Sequence, residues 1–295
     1  MPYKIKIKHG ITMNSEYKHP PLDIIDKLTV RRVKTGEYGP LDLFKIIKTG
    51  KRYKINFNYE KETITVHSTN DKLKYKKLKN NIPVSHCKPL VLKKYKWYNP
   101  GEVSETLKNK LGGTGSGDAN VFGDSGFLQI NRKHDIDIPF INILDCEKEM
   151  YDKFGVKIYN ENDTLPKLRG NKDIFLVSYR INENFASQYV HHSQGPGIFL
   201  EYHDFPHYFT PISQDYRGPV VVGKFNSKKE LELIGLNIPI GKTVYFPPNL
   251  IHNDWYVVGK VATTVSVDES NTVFLRGFNA KKIAMHFGYK PISTS

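Results

Sequence analysis

Two short stretches concentrate the residue types that do chemistry. In GIFLEYHDFPHYFTPI, residues 197–212, strand alternation puts Glu201, His203, Phe205, His207 and Phe209 on one face. In GKTVYFPPNLIHND, residues 241–254, two prolines stop a β-rich run, and His252 follows four residues after the second. Imidazoles beside a carboxylate suit a first-row metal. Histidine beside tyrosine, here Tyr245, also supplies acid–base pairs that need no metal. His191 and His192 are adjacent, so an extended strand turns only one of them inward.

Two glycine motifs carry less. GTGSGD has no following Gly-Lys-Ser/Thr, so it is not a phosphate-binding P-loop. GDSG around Ser125 has no His and Asp context for a serine nucleophile. Both read as loop.

The candidate residues need a β-framework, and the pattern from Asp173 onward supplies one. DIFLVSYRI, QYVHHS, GIFLEYHDFPHYFTPI, GPVVVGKF, LELIGLNIPI, KTVYFPP, DWYVVGKVATTVSVD and TVFLRGF are short strand candidates separated by Gly, Pro and Asn turns. That spacing predicts a mainly β fold with an antiparallel sandwich or jelly roll. Upstream, KRYKINFNYEKETITVHS reads as a hairpin and KPLVLKKYKWY as a strand. Short helices are expected at LDLFKIIK, at SETLKNKL with Ser104 as its cap, in FINILDCEKEMYDKFG and at AKKIAMHFG. The expected division is a basic β-rich region over 1–100, a Gly-rich connection with short helices over 101–172, and a jelly-roll domain over 173–295.

The second stretch resembles the second signature of the cupin superfamily, in which a Gly, five residues, a Pro and four more precede a metal-ligand His. Gly241, Pro247 and His252 fit it, and Asn249 replaces the usual turn glycine with a residue that also tolerates positive φ. The first signature, H-x-H and then Glu, is degenerate: His207 keeps its place, Phe209 replaces the second His and Gln214 replaces Glu. The resemblance covers roughly residues 190–275. It implies a double-stranded β-helix with a site in the barrel mouth and a divalent metal, iron, manganese, nickel or zinc. The ligands would come from His207, His252 and Gln214, with His203 or Glu201 completing the set. Two imidazoles on one ion at ~2.1 Å would stand about 3–4 Å apart. His207, His252 and Tyr245 would be catalytic. Phe209, Gln214 and Trp255 would meet a small polar substrate, carbohydrate-like or anionic.

Three functional readings stay open from the sequence. The first is a cupin isomerase, epimerase or other small-molecule enzyme. The second is an Fe(II)-dependent oxygenase of the same fold, with His252, Asp254 and His286 as a facial triad. In such oxygenases the cosubstrate cation follows the distal His, whereas Arg276 precedes His286. The third is a non-catalytic binding or structural module that makes its contacts through the basic N-terminal region.

Charge marks that region. Residues 1–100 hold 23 Lys/Arg and 8 Asp/Glu, a net of +15, in a chain whose total is +14. A polyanion or an acidic protein is the expected partner there. The resemblance implies a homodimer paired through the N-terminal strands. Cys87 and Cys146 form no C-x-x-C pair, which suits the cytoplasm or another reducing compartment. The opening MPYKIKIKHG lacks an apolar run, so no secretory leader is expected, and no apolar run is long enough for membrane insertion.

Overall fold

The computed structural model describes residues 42–47, 50–72, 88–99, 102, 125–130, 136–146, 148–167, 174–185, 199–254, 256–266, 271–277 and 287–291. The first strands are β1 (Asp42–Ile47), β2 (Arg52–Asn58), β3 (Thr63–Thr69), β4 (Leu90–Leu92) and β5 (Tyr95–Tyr98). Next come β6 (Ser125–Ile130), β7 (Ile136–Asn142), a 3₁₀ turn (Ile143–Asp145), helix α1 (Lys148–Phe154) and β8 (Lys157–Asn160). Then follow β9 (Ile174–Ile181), β10 (Phe199–Tyr202), β11 (His207–Pro211), β12 (Val220–Phe225) and β13 (Leu231–Asn237). The last are β14 (Lys242–Phe246), β15 (Ile251–Asn253), β16 (Gly259–Ser266), β17 (Asn271–Gly277) and β18 (Phe287–Pro291).

Eight consecutive strands, β9 to β16, form the centre. One sheet contains the run β9-β16-β11-β14 and the other β10-β15-β12-β13, with every pairing in both runs antiparallel. Counted one to eight, these orders are 1-8-3-6 and 2-7-4-5, the double Greek key of a jelly roll. The earlier strands extend both sheets. β1 adds beside β9 and β8 beside β14, making six strands. The other sheet reaches ten, with β4, β7 and β18 beyond β13 and β17, β6 and β5 beyond β10. Three of the added pairings, β13–β7, β17–β6 and β18–β7, are parallel.

Alternation splits the buried side chains between two cores. Phe209, Val177, Tyr179, Val244, Phe246 and Val261 point between the sheets, against Val220, Val222 and Ile234. Their neighbours Tyr208, Leu176 and Ala262 point to the opposite face of the six-stranded sheet. There Tyr53, Ile55, Ile64 and Val66 of the β2–β3 hairpin cover them. Fully burying one such side chain contributes about 1.5–3 kcal/mol. A sheet covered on both faces needs apolar residues at successive positions, which explains β11 being buried throughout.

Four local expectations change. LDLFKIIK forms strand β1, because β9 offers an edge to which it pairs antiparallel, with an irregularity between Leu43 and Lys45. FINILDCEKEMYDKFG divides into the end of β7, the 3₁₀ turn and a helix of only seven residues. Phe287 and Gly288, at the end of the expected C-terminal helix, belong to β18 and pair with β7. The stretch from Glu201 to Phe209 is two strands in different sheets, broken at His203–Pro206, because the jelly roll requires successive strands to change sheet. QYVHHS and the helix expected at Ser104 lie outside the described residues. Among the described residues, no helix is long and apolar enough to cross a membrane.

One turn depends on glycine absolutely. Gly218 has φ +93°, and a Cβ there would stand 2.1 Å from the carbonyl oxygen of Tyr256. The Arg217–Val258 bridge holds the two segments together with backbone hydrogen bonds of 3.0 and 2.9 Å. Gly218→Ala should therefore destabilise the fold by about 3 kcal/mol or more, strain and collision together. Urea denaturation checks this, and an unchanged midpoint would show that the turn relaxes freely.

Candidate metal centre

The break between β10 and β11 makes the first half of the site. His203 sits in this corner with its ring stacked on Phe205, centroids 3.7 Å apart and planes within 8°. Its Nδ1 lies 2.7 Å from the Phe205 carbonyl. A carbonyl can only accept, so Nδ1 carries the proton and Nε2 keeps a lone pair.

The proline turn between β14 and β15 makes the second half. Asn249 adopts φ 62°, the left-handed conformation that its place in the motif called for. Leu250 N–H closes the turn onto the Pro247 carbonyl at 3.2 Å, and Asn249 N–H donates to the His203 carbonyl at 2.7 Å. One backbone bond thus ties the two corners together. His252 then starts inward, with Nδ1 2.9 Å from the Leu250 carbonyl, so its Nε2 also keeps a lone pair. β10 and β15 pair Glu201 with His252, and the carboxylate stands 3.4 Å from His252 Nε2 without hydrogen-bonding geometry.

His207 opens β11 opposite Phe246 of β14. Its Nε2 meets the Thr263 hydroxyl, which donates to the Tyr208 carbonyl at 2.9 Å and so accepts from the imidazole. The Thr263 contact therefore fixes the tautomer with the proton on Nε2. Nδ1 is left as a buried acceptor with no hydrogen-bond partner.

The three imidazoles are buried, and their ligand atoms all lie within 4.8 Å of one another. That is a wider spread than the ~3–4 Å expected of nitrogens sharing one ion. The rings are gathered but not drawn up around a centre. Burial, and then the charge of His252, pushes the pKa of His203 down to about 3. Burial, with the other two histidines, holds His207 well below its usual range. His252 goes the other way: burial disfavours its cation, but the Glu201 carboxylate, the Leu250 carbonyl and Asp254 together raise its pKa above 6.5. At neutral pH, His203 and His207 are uncharged and ligand-ready. Each ring is anchored through one nitrogen to a carbonyl or hydroxyl, which is the outer-shell arrangement that orients metal-binding imidazoles. The donor set fits a divalent transition metal.

Other expected site residues stand apart. Gln214 is exposed in the turn after β11. Tyr245 pairs with Tyr208, their ring centroids 5.4 Å apart, and packs against the outer core rather than the barrel interior. Phe209 shares the inward face of His207, but it is fully buried and packs against Tyr216 at 6.4 Å. Asp254 accepts the Tyr179 hydroxyl at 2.6 Å and is not in the cluster. Trp255, His191, His192 and His286 lie outside the described residues. Thr263 and the carbonyls of Phe205 and Leu250 had no sequence signal. A threonine in a β-run looks like any β-branched residue, and carbonyl direction is not written in side chains.

No family model and no curated protein sequence matches the chain.

Proposed function

We propose that this chain is a cupin-like enzyme that holds one divalent metal through His203, His207 and His252 and acts on a small polar substrate, carbohydrate-like or anionic. The observation supporting this reading is the pair of buried ring nitrogens, His207 Nδ1 and His252 Nε2, that have no hydrogen-bond partner. Leaving such groups unsatisfied costs about 1–3 kcal/mol each, a cost that a bound ion would remove. When bound, the ion supplies Lewis acidity toward a substrate oxygen.

The chain's own residues divide the remaining work. The His203–Phe205 stack, the inward Phe246 and the packing around His207 keep water from the imidazoles. Glu201 shares the inward face of His252 and is partly open to solvent, its side chain 26% exposed. It is placed to complete the donor set or to accept a proton from a substrate hydroxyl. The raised pKa of His252, owed chiefly to Glu201, makes its Nε2 the ligand atom at which a proton competes most strongly with an ion.

The test is anaerobic titration with Fe(II), Mn(II), Ni(II) and Zn(II), followed by metal analysis. One ion per chain is expected, with proton release on binding. His207→Phe should keep its thermal unfolding transition and bind none. A folded wild-type chain that binds none of the four ions would end the metal reading.

A further inference from the structure

The strongest feature outside the histidine cluster lies at the open end of the β2–β3 hairpin. There a cleft of about 440 Å³ is lined by Lys51, Arg52, Ser68, Thr69, Asn70 and Lys167, with Gly50 at its edge. Three backbone segments put these residues side by side. β3 faces β2, pairing Arg52 with Thr69 and Tyr53 with Ser68. On the other side of β2, the segment around Thr164 bridges Lys54 antiparallel, and Leu165 N–H donates to the Tyr53 carbonyl at 2.8 Å. Continued in the same register, this pairing brings Lys167 level with Lys51. The fold thus converges three cations from two segments far apart in sequence.

Among the described residues, no carboxylate pairs with them, and none lines the cleft. Asp71, next to the cleft, pairs its carboxylate with Lys54 at 2.5 Å, and its backbone oxygen accepts from Arg52 Nη1 at 3.1 Å. Arg52 Nε is buried with no hydrogen-bond partner. An added Cβ at Gly50 would meet nothing within 4 Å, so the entrance is open.

We infer that this cleft is a binding site for a phosphate group. A planar guanidinium fork with unused donors matches two phosphate oxygens, and two lysines beside it balance a dianion. The hydroxyls of Ser68 and Thr69 and the amide of Asn70 supply neutral donors. The volume leaves room for what the phosphate is attached to. That chemistry belongs both to phosphorylated small molecules and to the phosphodiester of nucleic acid. The inference is independent of the metal reading, since no residue is shared.

The test uses calorimetric titration of the full chain with inorganic phosphate, a nucleoside 5′-monophosphate and a single-stranded 12-mer, in chloride of fixed ionic strength. Binding is expected, weakened at least tenfold in Lys51→Ala/Lys167→Ala and in Arg52→Gln. Both lysines are exposed, so the double variant should keep its unfolding midpoint and stands as the test should Arg52→Gln misfold. Lys96→Ala/Lys228→Ala removes the same charge from exposed positions elsewhere and should bind as the wild type does, as should His207→Phe. If the monophosphate binds as tightly as the 12-mer, the source is a small phosphate ester. If the 12-mer is tighter, with log affinity falling against log salt at a slope of about −2 for three cations, the source is nucleic acid. Absence of binding by all three probes, or equal weakening by the two double variants, would overturn the inference.

Discussion

Stripped of divalent ions by a chelator, the protein should lose stability steeply as pH falls from 6.5 toward 3. The sign follows from the two buried imidazoles with lowered pKa. In the unfolded chain His203 titrates near the ordinary value of 6.5; in the folded protein, near about 3. Between those limits the unfolded state binds a proton that the folded state refuses, so acid favours unfolding. His203 alone accounts for roughly 5 kcal/mol across that window, at about 1.4 kcal/mol per unit. His207, also lowered, acts in the same direction. His252 opposes them: its raised pKa adds stability below 6.5 that is lost as pH rises through the folded value. Urea unfolding at pH 7.5 and at pH 4.5 measures the difference. His203→Gln should flatten the slope, which separates this effect from carboxylate titration elsewhere. An equally steep slope in that variant would remove His203 from the account.

A large effect on ion binding is also expected at His252. His252→Ala removes a ligand nitrogen, so affinity for the best-bound ion should fall by at least about 100-fold. Thr263→Val should do less, because it removes only the acceptor that fixes the His207 tautomer, and changes of that kind typically cost about 10–100-fold. Thermal shift reads both. With free ion at 1,000 times the wild-type dissociation constant, the wild type gains about 4 kcal/mol of stability, while the alanine variant gains about 1.4 kcal/mol or less. Equal gains in both proteins would place the ion somewhere else.

Much of the jelly roll is legible in the sequence. Six apolar runs bounded by Gly, Pro and Asn hold seven of its strands, GIFLEYHDFPHYFTPI covering both β10 and β11, and the eighth, β15, is the three-residue run behind the proline turn. Asn249 is legible too, because a turn after Pro247 needs positive φ and asparagine tolerates it. What periodicity cannot register is a change of sheet. Glu201, His203 and His207 look like one face of one strand, yet Glu201 belongs to one sheet, His207 to the other, and His203 to the corner between them. They converge all the same, because a jelly-roll corner carries the chain around a shared interior. Tyr245 fails for the complementary reason. Its strand is buried on both faces, so hydrophobicity does not tell the inner face from the outer. The contribution of Thr263 depends on a partner 56 residues away, which no local pattern records.

The order in which the strands pair also dictates when the molecule can assemble. β9 needs β16, and β10 needs both β15 and β17. A chain leaving the ribosome therefore closes neither sheet until residues near 266 have emerged. Before that, the β2–β3 and β12–β13 hairpins are local pairs that can form, while β1, β4, β7 and β8 wait for partners, β9, β13 and β14, that are made much later in the chain. Loop closure over such separations is slow, and unpaired apolar strands are exposed to other chains while it lasts. The net charge of +15 over the first hundred residues sets a like-charge repulsion against contact between such strands on neighbouring nascent chains.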